Sequence, residues 1–522
     1  MDFHSLPNKP EELKKIIEEM SLRIKSKDRE ISDLKFKVNL LNKAVFGKKS
    51  EKWTFEEKNQ SLLFDEIEAN LNEDDTNTVT IEDPLSTFIS EPSLFTNTKS
   101  VKRNKPGRVS IPDSFPREEI IHDIPESEKT CTCGCQMESF GEEVVEKVGI
   151  IPSQIKVIRH IRPKYICKQC KANHPDVEKE IKIAEPVPQF LPKAIADTSF
   201  LAYAFVAKFC DAIPFYRLCN IFNRHGFEIS RATLCNYAQA SHERLKFLDD
   251  EFWSLILQSP VIQIDETPVK ILYEKNITKE NKDSKSYMFV IRAEIRGKPI
   301  ILYIYNPTRS SKFLQEKLKN YKGILHTDGF KSYDTLTTAM NFSHHAGCWV
   351  HARREFIRIL DSDKAHRGAG QFVSLIAELY KIEARLSNQN LEFIKNIRNT
   401  ESRKVVTKIQ NFLSDQSIKT LPNSPYGKAL AYLNNQWSKL IIFLDHPELK
   451  PDTNLVENAI RPFVIGRKNW LFSGTSDGAE ASAFFYSLIE TAKANKLEPT
   501  EYIRNLMDQV TLDKMPRLFE MG

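Results

Sequence analysis

Val261-Ile262-Gln263-Ile264-Asp265 and Gly323-Ile324-Leu325-His326-Thr327-Asp328 are the two stretches on which the fold turns. Each is a short run rich in β-branched and aliphatic residues that ends in an aspartate, and each is followed by residues that interrupt a strand, Thr267-Pro268 and Gly329. Runs of this length and composition predict buried strands, here over 261–264 and 323–326. Both strands would then carry a carboxylate at the same end. Glu266 is the rival to Asp265, but consecutive side chains on a strand point to opposite faces, so one of the two faces a common site.

Working outward, 286–295 and 298–305 read as two further strands joined at Arg296-Gly297, the turn of a hairpin. A helix over 312–320 precedes the strand ending at Asp328, and 343–349 reads as a fifth strand before a basic helix opening at His351-Ala352-Arg353-Arg354. Three meandering strands, a helix and a further strand ending in an acid is the order expected of a ribonuclease-H-like α/β layer. Residues 352–450 read as a large helical insertion. Beyond it a helix opens near Asp452-Thr453-Asn454 and carries Glu457.

Asp265, Asp328 and Glu457 are separated by 63 and 129 residues, intervals that say nothing by themselves. Two strand-end aspartates and a helical glutamate nevertheless suit phosphodiester chemistry with two Mg²⁺ ions, held ~3.5–4 Å apart over the attacking and departing oxygens. Mg²⁺ takes hard oxygen ligands, and Mn²⁺ is a substitute for it. The duller reading of Glu457 is a capping box with Asn454, and that of Asp328 is a turn before Gly329. Arg353, Arg354, Arg461, Arg467 and Lys468 flank the acids and either take phosphates or form a solvated basic face. Trp349 and Trp470 either stack on an unpaired base or fill the core.

The chain has 522 residues, room for about three domains on the usual 100–200 residues per domain. A formal charge of +5 permits a nucleic-acid partner without demanding one. Residues 65–83 are acid-rich and 99–108 basic, both read as solvated linker. No membrane-length apolar run and no signal-peptide layout is seen, which predicts a cytoplasmic protein without a membrane partner. Of nine cysteines, five lie between 131 and 170. Four of Cys131, Cys133, Cys135, Cys167 and Cys170 suit structural Zn²⁺, and the run Cys131-Thr132-Cys133-Gly134-Cys135 leaves open which of its sulfurs bind. Cys210, Cys219, Cys235 and Cys348 are expected to be buried thiols.

At the N-terminus, Leu13, Ile17, Met20, Ile24, Lys27, Ile31, Leu34, Val38, Leu41 and Val45 step by four and three alternately, an a/d seam that predicts a coiled coil and a homo-oligomer. The expected organisation is thus a coiled coil over 11–47, a flexible linker over 48–110, and a small zinc-binding β domain over 111–180. A helical, helix-turn-helix-like DNA-binding region follows over 187–250. The catalytic core takes 258–351 and 452–475, with the helical insertion at 352–450 between them and a C-terminal helical segment at 476–522. In the helical region, a glycine turn at His225-Gly226 separates two short helices, the second opened by Ser230. Arg231, Thr233 and Asn236 would read DNA from it, although such helix pairs also occur in plain α-helical domains.

The chain resembles the bacterial insertion-sequence transposases of the family numbered sixty-six. The matching stretches include Val45-Phe46-Gly47-Lys48-Lys49-Ser50-Glu51-Lys52, Arg162-Pro163-Lys164-Tyr165-Ile166-Cys167 and Gln263-Ile264-Asp265-Glu266-Thr267. They continue with His326-Thr327-Asp328-Gly329-Phe330, Cys348-Trp349-Val350-His351-Ala352-Arg353-Arg354, and Asn454-Leu455-Val456-Glu457-Asn458-Ala459-Ile460-Arg461-Pro462. The resemblance implies an Asp-Asp-Glu transposase with Asp265, Asp328 and Glu457 as its catalytic acids. It also implies recognition of terminal inverted repeats, DNA strand cleavage and strand transfer, and small accessory proteins of the same element. The competing expectations are a catalytically silent DNA-binding derivative and a nuclease that cuts without joining.

Overall fold

A computed structural model describes Met20, Lys27 and residues 154–166, 181–273, 286–340 and 342–519. The coiled coil, apart from helical Met20 and Lys27, lies outside these residues, as do the linker and all five cysteines of the zinc segment. Residues 85–161 form a unit of their own, in which 154–161 carry no regular secondary structure. The other described residues belong to a second unit.

It opens with a small antiparallel ribbon of β1 (Lys164–Ile166) and β2 (Ile181–Ile183). Four helices follow: α1 (Thr198–Phe209), α2 (Phe215–Arg224), α3 (Arg231–Leu245) and α4 (Phe247–Ile256). The break between α2 and α3 falls at Gly226, whose φ of +78° is one that glycine adopts without penalty. Ser230 caps α3 by accepting the Thr233 N–H at 3.0 Å, satisfying one of the donors a helix start leaves open. On α1, Phe205 and Phe209 pack on Phe485, with ring centroids 4.4 and 5.4 Å apart, the first tilted and the second stacked, so this region is built on the same core as the C-terminal helices.

The central sheet comprises β3 (Val261–Val269), β5 (Ser286–Ile295), β6 (Lys298–Asn306), β7 (Ile324–His326) and β8 (His344–Ala346), in the order β6-β5-β3-β7-β8, while β4 (Ile271–Tyr273) lies outside it. β5 and β6 run antiparallel to their neighbours, and β7 and β8 run parallel to β3. The hairpin turn is the one expected: Arg296 and Gly297 both have positive φ, 51° and 77°, which matches the right-handed twist of the flanking strands. Helices α5 (Lys312–Leu318) and α6 (Lys331–Ala339) flank β7, the second of them not anticipated from the sequence.

One expectation fails. Asp265 does not close its strand, which continues through Thr267-Pro268 to Val269 along β5. β7 pairs only with Val261–Gln263, so beyond that point β3 is an edge on that side, where a proline is tolerated. Nor is 343–349 all strand, because α7 (Trp349–Ser362) begins at Trp349.

The insertion continues with α8 (Arg367–Arg385), α9 (Leu391–Ile397), α10 (Arg403–Lys419) and α11 (Pro425–Leu440). The chain then returns to the sheet as α12 (Asn454–Trp470), and β9 (Ser473–Thr475) pairs with β4. Helices α13 (Ser476–Ala494) and α14 (Pro499–Thr511) complete the core. Helix α13 closes the β6 edge. Thr491 Oγ1 accepts from Ile301 N at 3.0 Å and donates to Ile301 O at 3.1 Å, Ser487 Oγ accepts from Tyr303 N at 2.8 Å, and Asn495 Nδ2 donates to Pro299 O at 2.8 Å. Four residues of helix rise ~6 Å and two residues of strand span ~6.6 Å, so hydroxyls and amide at every fourth helical position meet every second residue of the strand.

Candidate active site

The parallel register of β3 on β7 pairs Val261 with Ile324, Ile262 with Leu325 and Gln263 with His326. That offset is 63 residues, the same as the interval from Asp265 to Asp328, so each aspartate follows its paired strand by two residues. Both acids therefore lie just past the last pair of the β3–β7 ladder, at the same end of the two strands. Both are partly exposed.

Helix α12 lies along β3. Gln263 Nε2 donates to the Asp452 carbonyl at 3.1 Å, just before the helix, and Arg467 near its far end donates to Thr267 Oγ1 at 3.0 Å and to the Pro268 carbonyl. Gln263, Asp265 and Thr267 share one face of the strand. Asp265 therefore lies on the face that α12 covers, between two anchors. Glu457 belongs to the first turn of that helix and is 5% exposed. Thr453, not Asn454, is the N-cap, and Thr453 Oγ1 donates to Glu457 Oε1 at 3.3 Å, so the capping box does not form.

Glu266 faces the other way. Its buried carboxylate accepts from Arg309 Nε at 2.8 Å and from the Tyr333 hydroxyl, and Arg309 lies 3.7 Å from the centre of the Phe330 ring. Burial raises the Glu266 pKa, the charge of Asp328 raises it further, and Tyr333 and Arg309 oppose both. Burial also raises Asp328, against the Phe330 N–H at 3.0 Å and the charges of Arg309, Arg354 and Lys439. The Tyr333 phenol is held well above its usual range by burial and by Glu266, Asp328 and Asp265 together. These three acids share one neighbourhood.

Glu457 keeps different company. Among the described residues, Cys348, His351 and Glu457 bring their ligand atoms within 4.8 Å of one another, and Asp265, Asp328 and Glu457 do not form so tight a group. Burial holds the His326, His345 and His351 imidazoles neutral, at about 3, about 4 and about 3. None of these histidines, nor Arg309 and Lys439, was singled out from sequence; the spacing Cys348-x-x-His351 was the available signal.

Of the expected phosphate contacts, Arg353, Arg354 and Arg461 are partly exposed and Lys468 is exposed. Arg467, by contrast, is 9% exposed and spends its guanidinium on β3, so it ties helix to strand. On α3, Arg231 and Asn236 are exposed, while the Thr233 hydroxyl lies 2.9 Å from that of Ser230 within the helix cap. Trp349 is buried with its Nε1 donating to the Leu440 carbonyl at 2.8 Å, while Trp470 is partly buried against the core with Lys208 4.3 Å from its ring. The thiols are more varied than expected: Cys348 is buried, Cys210 and Cys219 are partly so, and Cys235 is exposed.

The donors at hand for a metal are hard carboxylate oxygens, and burial raises Asp328 while burial and the charge of Asp328 raise Glu266, shifts that a nearby cation would oppose. The mixed sheet with its helices fits an α/β enzyme core, and the family profile described as "Transposase IS66 family" matches residues 193–481, more than half of the chain, which suggests an enzyme of the nuclease or transposase class. The chain belongs to the IS66 family of transposases. A second profile, "zinc-finger binding domain of transposase IS66", matches 128–171 and contains all five clustered cysteines, which implies zinc binding; a third, "Transposase C of IS166 homeodomain", matches 33–120. The chain is similar to the uncharacterized protein y4jD of Sinorhizobium fredii (strain NBRC 101917 / NGR234), 28% identical over 77% of this chain and 78% of that one. It is also similar to the uncharacterized protein y4hP of the same strain, 24% identical over 81% and 77%. Among the described residues, no helix is long and apolar enough to cross a membrane.

Proposed function

We propose that this chain is a Mg²⁺-dependent Asp-Asp-Glu transposase with a ribonuclease-H-like core, which binds the terminal inverted repeats of its element, cuts DNA strands there and joins them to target DNA. The observation that supports the reading is the β3–β7 register, by which Asp265 and Asp328 each follow the last ladder pair by two residues, with Glu457 in the first turn of the helix that is anchored to β3. Asp265, Asp328 and Glu457 would hold the divalent ions. When bound, these activate the attacking water or 3′-hydroxyl and stabilise the departing oxygen, so no covalent enzyme intermediate is needed. Arg353, Arg354, Arg461 and Lys468 steady the phosphates by charge, and Arg231 and Asn236 of the helix-turn-helix-like pair contact end sequences. The N-terminal heptads pair protomers so that two ends are held together, small accessory proteins of the element assist, and the work is done in the cytoplasm.

The test is full-length protein with labelled terminal-repeat DNA and Mg²⁺, parent beside Asp265→Asn. The variant should keep end binding and lose cutting; cutting at the parental rate removes Asp265 from the site. Binding without cleavage by the parent indicates a silent derivative, and cleavage without joining a nuclease.

A further inference from the structure

The third acid poses a problem that the two aspartates do not. Asp265 lies within the β3–β5 ladder and Asp328 only two residues past β7, whereas Glu457 arrives after the long helical insertion, on a helix whose N-cap residue Thr453 makes no side-chain cap. A metal-binding constellation requires placement to within ~0.5 Å. We propose that Cys348, Trp349 and His351, the first turn of α7 with its N-cap, are positioning residues that hold the Glu457 carboxylate in its working orientation. This rests on the transposase reading given above and extends it.

The grip falls on the three residues that launch α12. Trp349 N donates to the Pro451 carbonyl at 3.0 Å, and Thr453 N donates to Cys348 Sγ at 3.4 Å. Between them, the Asp452 carbonyl accepts from Gln263 of the sheet at 3.1 Å, and the Asp452 carboxylate takes the Asn454 N–H at 3.0 Å, with its charge near enough to the buried Tyr380 phenol of α8 to raise that pKa. Strand, insertion and helix start thus converge on one short segment. From it the hold passes to the acid. Thr453 Oγ1 reaches Glu457 Oε1 at 3.3 Å, and His351 Nδ1 faces the same oxygen at 3.6 Å. That nitrogen is buried and has no hydrogen-bond partner among the described residues. It is aimed at Glu457 and engaged by nothing else.

The same three ligand atoms, sulfur, imidazole nitrogen and carboxylate oxygen, would also suit a zinc ion. The sulfur, however, already accepts a backbone N–H from the segment it anchors. That bond suits a clamp and a metal ligand alike, so zinc content separates the two.

The experiment uses the full-length chain with His351→Ala, His351→Asn, His351→Gln and Glu457→Gln. An asparagine amide occupies the place of Nδ1, and a glutamine amide that of Nε2. The readouts are Mn²⁺ affinity by electron paramagnetic resonance without DNA, single-turnover cleavage, thermal melting and zinc per chain. Loss of an outer partner of a metal ligand costs about 10–100-fold in metal affinity or activity. His351→Ala and His351→Gln should lose within that range in both Mn²⁺ affinity and cleavage, while His351→Asn recovers most of it, with melting and zinc content as in the parent. Parental Mn²⁺ affinity in His351→Ala, or equal losses in the Asn and Gln variants, overturns the clamp. Loss of one zinc per chain overturns it in favour of a metal site. If Glu457→Gln itself binds Mn²⁺ and cuts like the parent, the Asp-Asp-Glu reading fails and the clamp with it. A deficit in Glu457→Gln but none in His351→Ala sinks the clamp alone.

Discussion

Gln263 and His326 are partners in the parallel ladder, and their side chains are bonded as well: Gln263 Nε2 donates to His326 Nδ1 at 3.3 Å, while His326 Nε2 donates to the Gly347 carbonyl at 3.2 Å. The tautomer is assigned from these partners, and it is the neutral one. Burial lowers the pKa from 6.5 to about 3. Below pH 6.5 the unfolded chain takes a proton that the folded chain refuses, so stability is full above that value and falls as the pH drops towards 3. The slope is at most about 1.4 kcal/mol per pH unit for one group. His345 and His351 act in the same sense, and the buried acids Asp328 and Glu266, with raised values, act in the opposite one. Urea unfolding of His326→Asn between pH 7 and 4 should therefore show a shallower decline than the parent. Parallel curves would mean that His326 does not resist protonation.

Arg467 should prove structural. Its replacement by alanine leaves the Thr267 hydroxyl and Pro268 carbonyl without their charged donor and loosens α12 from β3. The expected loss is about 1.5–3 kcal/mol in denaturant unfolding, with a drop in cleavage larger than the drop in end binding because Glu457 moves with the helix. A variant that unfolds like the parent and binds DNA more weakly would return Arg467 to the phosphate-contacting set.

Arg309 and Glu266 form a pair with one end in water and the other inside, side-chain exposures 45% and 3%. Removing the arginine strands a buried carboxylate. Arg309→Ala should cost ~1–3 kcal/mol, less than for a wholly buried pair because the guanidinium is half solvated. Adding Glu266→Gln should restore most of the loss. A double-mutant cycle measures the coupling, and additive effects would show that the two side chains act independently.

Thr491→Val keeps shape and burial but removes the hydroxyl that serves both backbone groups of Ile301. Two buried polar groups are then left unmet, at a cost of about 1–3 kcal/mol each at the upper end. Thr491→Ser should lose far less. Equal losses in the two variants would assign the effect to packing.

Periodicity and turn chemistry located the strands, the Arg296-Gly297 hairpin and the Ser230 cap because these are local: a run of β-branched residues, a two-residue turn, a hydroxyl before a helix. The true extent of β3 was hidden because a proline normally ends a strand, and its tolerance here follows from where β7 stops, a tertiary fact. The neighbourhood of Asp265 and Asp328 was suggested by composition, but the meaning of their 63-residue interval appeared only with the register. Arg467, grouped with the phosphate contacts, turns to β3 instead, and of the two readings left open for Trp349 the core one holds, since basic and aromatic residues near acids look the same in sequence whether they point in or out. The Glu266–Arg309–Tyr333 group and the His351 contact join residues far apart in the chain, and no local pattern announces them.

The helix laid against β6 has a consequence for how copies of this protein meet. A bare outer strand invites another chain to extend the sheet, a route to unwanted fibres as well as to dimers. Here the Pro299 carbonyl, both backbone groups of Ile301 and the Tyr303 amide are already taken by Asn495, Thr491 and Ser487. Lateral growth from that rim would first have to peel away a helix that is itself the centre of the core, so encounters between folded copies are steered to side-chain surfaces instead.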